Sequence, residues 1–340
     1  MEILDFIFLG VDNGIVEILA KLEEIKATYK IFHFRSLEDS FQEYPTPSTI
    51  RGSHNISVVQ KYCKNLTLSF PDYPCTFYKD KAFYPFTGRK SSMPLMEGEE
   101  YFTQTGVYAE SLENIGINKA NFFTQEVLKI TKEKDQGIWK VFFKDGTCQR
   151  GKRLICCYPP NFFYQKFDDE LGGEIYHKSF KAFKSVGAMT FQVRPKKKFE
   201  FESGTIFIPI DQTTPMGHII ADFQIEKQDL RFFCFLAAHE EDNPKLLMDK
   251  IKLVKRKIRM VFPALKKEEF PQKLWMLPGI RGNVGFDEQY REVYQQESDI
   301  FSNLHFIGPC APLLAEENST HLQYFARIAA SVHETLGSIL

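Results

Sequence analysis

Apolar and polar positions along the first 35 residues, MEILDFIFLGVDNGIVEILAKLEEIKATYKIFHFR, change period twice. Phe6 to Leu9 is a short apolar run that stops at Gly10. Ile15, Ile18, Leu19, Leu22 and Ile25 then recur at helical spacing and predict one apolar helix face. Tyr29 to Phe34 is a second β-rich run. The predicted order is strand, tight turn, helix, strand. This is the βαβ unit in whose first turn dinucleotide-binding folds hold a pyrophosphate.

The following stretch is less regular. Phe41 to Pro47 reads as a loop, and Ser48 to Ser57 as a connection. Residues 58–100 are irregular and aromatic, punctuated by Pro71, Pro74, Pro85 and Pro94. Within them, 77–86 alternates around Lys79-Asp80 and predicts a hairpin, with Phe77, Tyr78, Phe83, Tyr84 and Phe86 as either a cavity lining or a core beneath a loop. Gly106 to Leu112 predicts the start of a helix that stops at Gly116. Strands are predicted at Asn121 to Thr124, Glu126 to Glu133 and Gly137 to Phe143, then, after a Lys144-Asp145-Gly146 turn, at Arg153 to Cys157, ending at Pro159-Pro160.

Further strands are predicted at Ala188 to Val193, Thr205 to Pro209, His218 to Gln224 and Arg231 to Ala237. Asn243-Pro244 opens a long helix that Pro263 ends, with Leu246, Leu247, Ile251, Val254, Ile258 and Val261 inward. Its outer face carries Lys245, Lys252, Lys255, Arg256 and Arg259, which in a nearly neutral chain reads first as a solvated face. The tract Pro195 to Lys198 reads as a hairpin tip. The chain closes on a strand, Asn303 to Ile307, ending at Gly308, and a helix from Leu322 to Ile339 with Phe325, Ile328, Ala329, Val332 and Leu336 on one face.

The first turn departs from G-x-G-x-x-G. Gly10 fills the first glycine position, Asp12 stands at the second and Ile15 at the third, so that Gly14 serves as the third only in a turn one residue shorter. Asp12 adds a Cβ and a negative charge where a dianion meets a helix N-terminus, and it or Asn13 makes a good N-cap. The second strand ends His33-Phe34-Arg35, without the acid that binds an adenosine ribose; Glu38 comes several residues late.

A chain of 340 residues has room for two domains, and its net charge of −1 gives no global case for nucleic acid or an acidic membrane. No apolar run approaches the ~20 residues that span a bilayer, and Glu2 and Asp5 differ from the basic start of a signal peptide. Seven cysteines without a C-x-x-C pair are expected to be reduced thiols in a cytoplasmic protein, with Cys156 and Cys157 as core residues. His218 and His239, near Asp222, Glu240, Glu241 and Asp242, lack ligand spacing, so no metal is expected. G-x-S-x-G, Walker A and H-E-x-x-H are absent.

The order of parts resembles the flavin-dependent amine oxidases and protoporphyrinogen-oxidase-like proteins. Three stretches carry the resemblance: the N-terminal βαβ unit, the block from Tyr101 to Pro160 (EYFTQTGVYAESLENIGI…VLKITKEKDQGIWKVFFKDGT…KRLICCYPP), and the closing NLHFIG…ARIAASVHETL. The resemblance implies an α/β fold in which a discontinuous Rossmann-like FAD/NAD(P)-binding domain (1–57, 101–160 and 281–340) is interleaved with an α+β substrate-type domain (58–100 and 161–280). It implies FAD as cofactor, contacted around Gly10, Gly14, Arg35 and Gly308, and an aromatic such as Trp275 near the substrate.

The motifs also depart from the family. Pro309 follows Gly308 where the family has an aspartate, Ala311 to Asn318 replaces a glycine-rich turn and carries Glu316 and Glu317, and the place of a flavin-side lysine falls at Gly187 or Ala188, with Lys184 out of register. The expectation is a flavoprotein scaffold that has lost FAD and serves as a non-catalytic binding protein for an apolar small molecule or a protein partner. The alternative is an FAD-dependent oxidoreductase taking hydride from an amine or apolar substrate. No catalytic residue is assigned.

Overall fold

The computed structural model describes residues 2–12, 14–34, 49–51, 53–63, 67–69, 75–85, 106–110, 119–133, 135–168, 180, 183, 185–196, 204–210, 219–224, 228–236, 240, 243–267, 269–282, 286–296, 301–315 and 324–339. The opening unit forms as its periodicity predicts: β1 (Ile3–Leu9), α1 (Ile15–Glu24) and β2 (Tyr29–His33), with the two strands parallel. Ile15, Ile18, Leu19 and Leu22 are buried; Ile25 lies past the last turn and is exposed.

Two expectations fail in the next segment. Where Ser48 to Ser57 reads as a connection, β3 (Thr49–Arg51) and α2 (Ser53–Tyr62) form. The β-branched run Ile56, Val58 and Val59 is a weak helix former. Packing decides: Val58, Val59 and Cys63 are buried in a core shared with α1 and the C-terminal helix. The helix predicted from Gly106 is a strand instead. After β4 (Thr67–Ser69), β5 (Cys75–Lys79) and β6 (Ala82–Pro85) comes β7 (Gly106–Glu110), which pairs antiparallel with both β3 and β4. Five residues are too few to separate a helical from an alternating pattern, and two flanking strands satisfy the backbone on both edges. The predicted hairpin is present, with Asp80 and Lys81 at positive φ between β5 and β6.

The remaining strands are β8 (Phe122–Thr124), β9 (Val127–Glu133), β10 (Ile138–Phe143), β11 (Cys148–Cys156), β12 (Ser185–Val193), β13 (Gly204–Ile208), β14 (Ile219–Gln224), β15 (Asp229–Phe235), β16 (Lys273–Gly282) and β17 (Leu304–Phe306); all lie where the sequence predicts strands except β16, which it does not predict, and β11 begins five residues earlier than expected. The further helices are α3 (Pro160–Lys166), α4 (Pro244–Val261), α5 (Phe286–Gln296) and α6 (Tyr324–Ile339). Pro160 opens α3, where its missing N–H costs nothing. The Asn243 side chain caps α4 by accepting from the Lys245 and Leu246 backbone N–H groups.

The first sheet runs β8-β2-β1-β11 in parallel and continues on the far side of β11 in two ways. Cys148–Gly151 pairs antiparallel with β10 of the meander, whereas Leu154–Cys156 pairs parallel with β17. The long β11 thus belongs to both halves. Both faces of this sheet are covered, which explains the near-continuous apolar reading of β1. Phe6 and Phe8 point into a core with α1, α2 and α6; Ile7 and Leu9 point into one with the meander, α3 and α5.

The second sheet, β16-β12-β15-β14-β13-β5-β6, is antiparallel except for β13 against β5. Met189, Phe191, Val193, Phe223 and Phe232 on one face pack against Val254, Ile258 and Val261 of α4. Leu246, expected inward, is exposed, while Lys250 is buried and paired with Glu240 at 3.0 Å. The aromatic set of the hairpin is split by strand alternation. Tyr78 and Phe83 join the α4-side core, Phe77 packs with Cys75 and Phe207 on the other face, and Tyr84 is exposed. Phe86 lies outside the described residues.

Candidate functional site

The carboxyl ends of β1, β2, β11 and β17 bring together the turns at Gly10, Phe34, Tyr158 and Gly308. In an open α/β sheet this is where a ligand binds. Gly10 has φ +89° and donates its N–H to the Phe32 carbonyl at 2.8 Å. Directly over it lies the Tyr158 ring: a Cβ on Gly10 would meet ring carbons at 3.0–3.2 Å. Tyr158 also packs against His33, Phe34 and Phe162, with ring centroids 5.9, 6.1 and 4.2 Å apart. Aromatic carbon covers the face of the first glycine.

A Cβ on Gly14 would lie 2.6 Å from Val332 Cγ2, 2.8 Å from Ile328 Cγ2 and 3.0 Å from Ile307 Cγ2. The absence of a Cβ at Gly14 therefore lets α1 approach α6 and the end of β17. Asp12 turns inward. Its Oδ1 accepts from the Gly14 N–H at 3.0 Å, and its backbone carbonyl accepts from Ile15. Its Oδ2 lies 3.4 Å from the position of a Cβ on Gly308. The residue keeps some accessible surface, but desolvation of the carboxyl outweighs the Gly14 hydrogen bond and raises its pKa to about 6. The thiols beside it, Cys63 and Cys157, are pushed up chiefly by burial and further by Asp12. Cys157 packs against the core, as expected, and Cys63 is buried within it, which makes both poor nucleophiles.

Gly308 has φ +125° and donates to Ser331 Oγ at 3.3 Å. The chain beyond it is tied down by side chains from α5 and α6. Asp287 accepts from the Leu313 N–H at 3.1 Å and from Arg327, which also donates to the Ala311 carbonyl at 2.9 Å. Glu334 accepts from Leu314 and Ala315 N–H at 2.9 and 3.0 Å; desolvation raises its pKa against those two bonds. The backbone donors of Leu313, Leu314 and Ala315 are thus occupied by the protein's own carboxylates.

Of the residues expected at a cofactor, Gly14 and Gly308 lie against Asp12 and Gly10 lies under Tyr158, whereas Arg35 lies outside the described residues. So do Asn13, Lys184, His218, His239, Glu316 and Glu317. At the place of a flavin-side lysine, Gly187 and Ala188 are buried in β12, and Ala188 pairs with Phe235 and Leu277. Tyr158, Asp287, Arg327 and Glu334 were not singled out from sequence. Each acts on a residue far away in the chain, and no local pattern marks it.

The second sheet also carries a row the sequence reading missed. On the face away from α4, Thr190, Gln192, Thr205, Asp222 and Asp229 are all buried. Gln192 donates to Asp229, Arg231 Nε donates to Asp229 Oδ2 at 2.6 Å, and Thr205 donates to Asp222 at 3.2 Å. Half-buried Trp275 pairs with Thr190 across the strands, with the Lys273 ammonium 5.6 Å from its ring centroid. The signal was available as polar residues alternating with Phe and Val along β12 and β15. Among the described residues no cluster of His, Cys, Asp and Glu is arranged for a metal, and no helix is long and apolar enough to cross a membrane.

No family model and no curated sequence matches the chain significantly. Solved structures do. A CLA-producing fatty acid isomerase from P. acnes aligns over 98% of both chains with 10% identity and a TM-score of 0.63. Cyclohexylamine oxidase from Brevibacterium oxydans aligns over 99% of this chain and 100% of its own, with 9% identity and a TM-score of 0.61. Putrescine oxidase bound to putrescine aligns over 99% of both, with 10% identity and a TM-score of 0.61. The chain has the mixed α/β fold of these amine oxidases over its whole length.

Proposed function

We propose that this chain is an amine-oxidase-like flavoprotein scaffold that no longer holds FAD and works as a non-catalytic binding or partner protein. The observation that carries the proposal is the Asp12 carboxylate seated between Gly14 and Gly308. A pyrophosphate at that turn would face a carboxylate in place of free N–H groups, and like charges at a dry site repel. Tyr158 over Gly10, and Asp287 and Glu334 on the donors of Leu313 to Ala315, act in the same sense. The residues present do not fit FAD in its usual seat. The proposed division is into a cofactor-type unit (1–57, 101–160, 281–340), which includes all strands of the first large sheet, and a substrate-type unit (58–100, 161–280), which includes most of the second; an apolar small molecule or a protein is the proposed partner.

A second reading is an FAD-dependent oxidoreductase. Gly14 still packs closely and Gly308 still adopts positive φ, as a working site would need. The visible spectrum of purified protein separates the two. Under the proposal the protein is colourless and shows no saturable change with FAD up to high micromolar concentration. Asp12→Gly alone does not change this, because Tyr158 and Glu334 remain. A flavin absorption band in the purified wild type, or wild-type saturation at micromolar FAD, overturns it.

A further inference from the structure

The outward side of α4 combines two rows that differ from the rest of a nearly neutral protein. Leu246, Leu253 and Met260 are 41%, 43% and 53% exposed. They recur every seven residues, so they lie on one line along roughly 21 Å of helix. Met248 is exposed too, but lies across the helix from this line, beyond the cationic row. Cations flank the line on both sides: Lys245, Lys252 and Arg256 on one, Lys257 on the other. The acid on this surface, Asp249, is 3.3 Å from Lys252. The inward side of α4 is already spent on the second sheet through Val254, Ile258 and Val261.

A second helix is a poor match for this row. A two-helix seam needs apolar residues at both the a and the d positions. With Leu246, Leu253 and Met260 at a, the d positions hold Asp249 and Arg256. A second copy of this chain would set one cationic flank against another. A negatively charged bilayer surface fits all the parts: aliphatic side chains enter the headgroup layer while Lys and Arg beside them reach lipid phosphate and carboxylate groups.

We propose that the outer face of α4 is a peripheral docking surface for anionic lipid. This holds whether or not the nucleotide turn binds FAD, since it uses none of its residues.

The test is co-sedimentation of the full chain with vesicles of phosphatidylcholine alone and with 30% phosphatidylserine. The expected result is binding to the serine-containing vesicles only, weakened at least tenfold by Lys252→Glu/Arg256→Glu and, separately, by Leu253→Asp. Raising the salt to 0.5 M weakens it as well, in line with screening. All of the substituted side chains are exposed, so unchanged circular dichroism melting will show that the fold is intact. Absence of binding to phosphatidylserine vesicles overturns the proposal. So does binding that Leu253→Asp leaves unchanged, which would mark a purely electrostatic surface suited to an acidic protein.

Discussion

Asp12 and Gly308 meet across the opening between β1 and β17: the Asp12 Oδ2 lies 3.4 Å from where a Gly308 side chain would begin. The two residues are almost the length of the chain apart, yet both belong to turns that flank a pyrophosphate in dinucleotide-binding sheets. Here the pair encloses a carboxyl group with a pKa of about 6, against an ordinary value of 3.8.

That shift has a sign. The folded chain holds the Asp12 proton more tightly than the unfolded chain, so its stability falls as pH rises from 3.8 to about 6. Above that the loss is complete, at about 1–3 kcal/mol. Asp12→Asn keeps an acceptor for the Gly14 N–H without the charge. Urea unfolding is expected to find the variant more stable than wild type at pH 7.5, with the advantage gone at pH 4. A variant less stable at both pH values would mean that the charge serves the helix N-terminus more than burial costs it.

Gly10 and Tyr158 share one space. Gly10→Ala puts a methyl at positive φ and against the Tyr158 ring, and a loss of about 1–3 kcal/mol is expected. The double variant with Tyr158→Ala removes the ring contact but not the backbone strain. A double-mutant cycle by thermal unfolding should therefore show partial rescue of the Gly10→Ala loss; strict additivity would contradict the contact.

Two glycines on the α1–α6 side predict opposite signs. Gly14→Ala drives a methyl to within 2.6 Å of Val332 and costs about 1–3 kcal/mol through overpacking. Gly337 lies in α6 with open space around it, so Gly337→Ala gains about 0.5–1 kcal/mol of helix propensity. Denaturant midpoints measured on both will read the difference directly.

Arg327 and Asp287 form a buried ion pair between α6 and α5, with side chains 12% and 5% exposed. Arg327→Met leaves the Asp287 carboxylate buried without its cation, and a loss of about 3–5 kcal/mol is expected. Arg327→Met with Asp287→Leu should recover most of it. If the single variant melts like wild type, the pair does not anchor the segment from Gly308 to Ala315.

Most sheet elements with a sustained period could be read from the residues, though not the ten-residue β16. The opening βαβ unit, the meander of β9 to β11, the four strands β12 to β15 and the capped helix α4 were all legible, because each buries a face that its own pattern specifies. The sequence also places Asp12 in the first βα turn and Pro309 directly after Gly308. Some short elements were not legible, although the three-residue strands β8 and β17 were. The five residues of β7 and the β-branched α2 take their conformation from partners elsewhere, β3 and β4 in one case and α6 in the other.

What surrounds the first βα turn depends on segments far away in the chain. Gly14 is closely packed because Val332 and Ile328 come from the last helix of the chain. Tyr158 covers Gly10 because β11 lies beside β1, and Glu334 reaches Leu314 and Ala315 across twenty residues of sequence. No local pattern marks such contacts, because a residue's type sets which interactions it can make while the approach of distant segments sets which it does make.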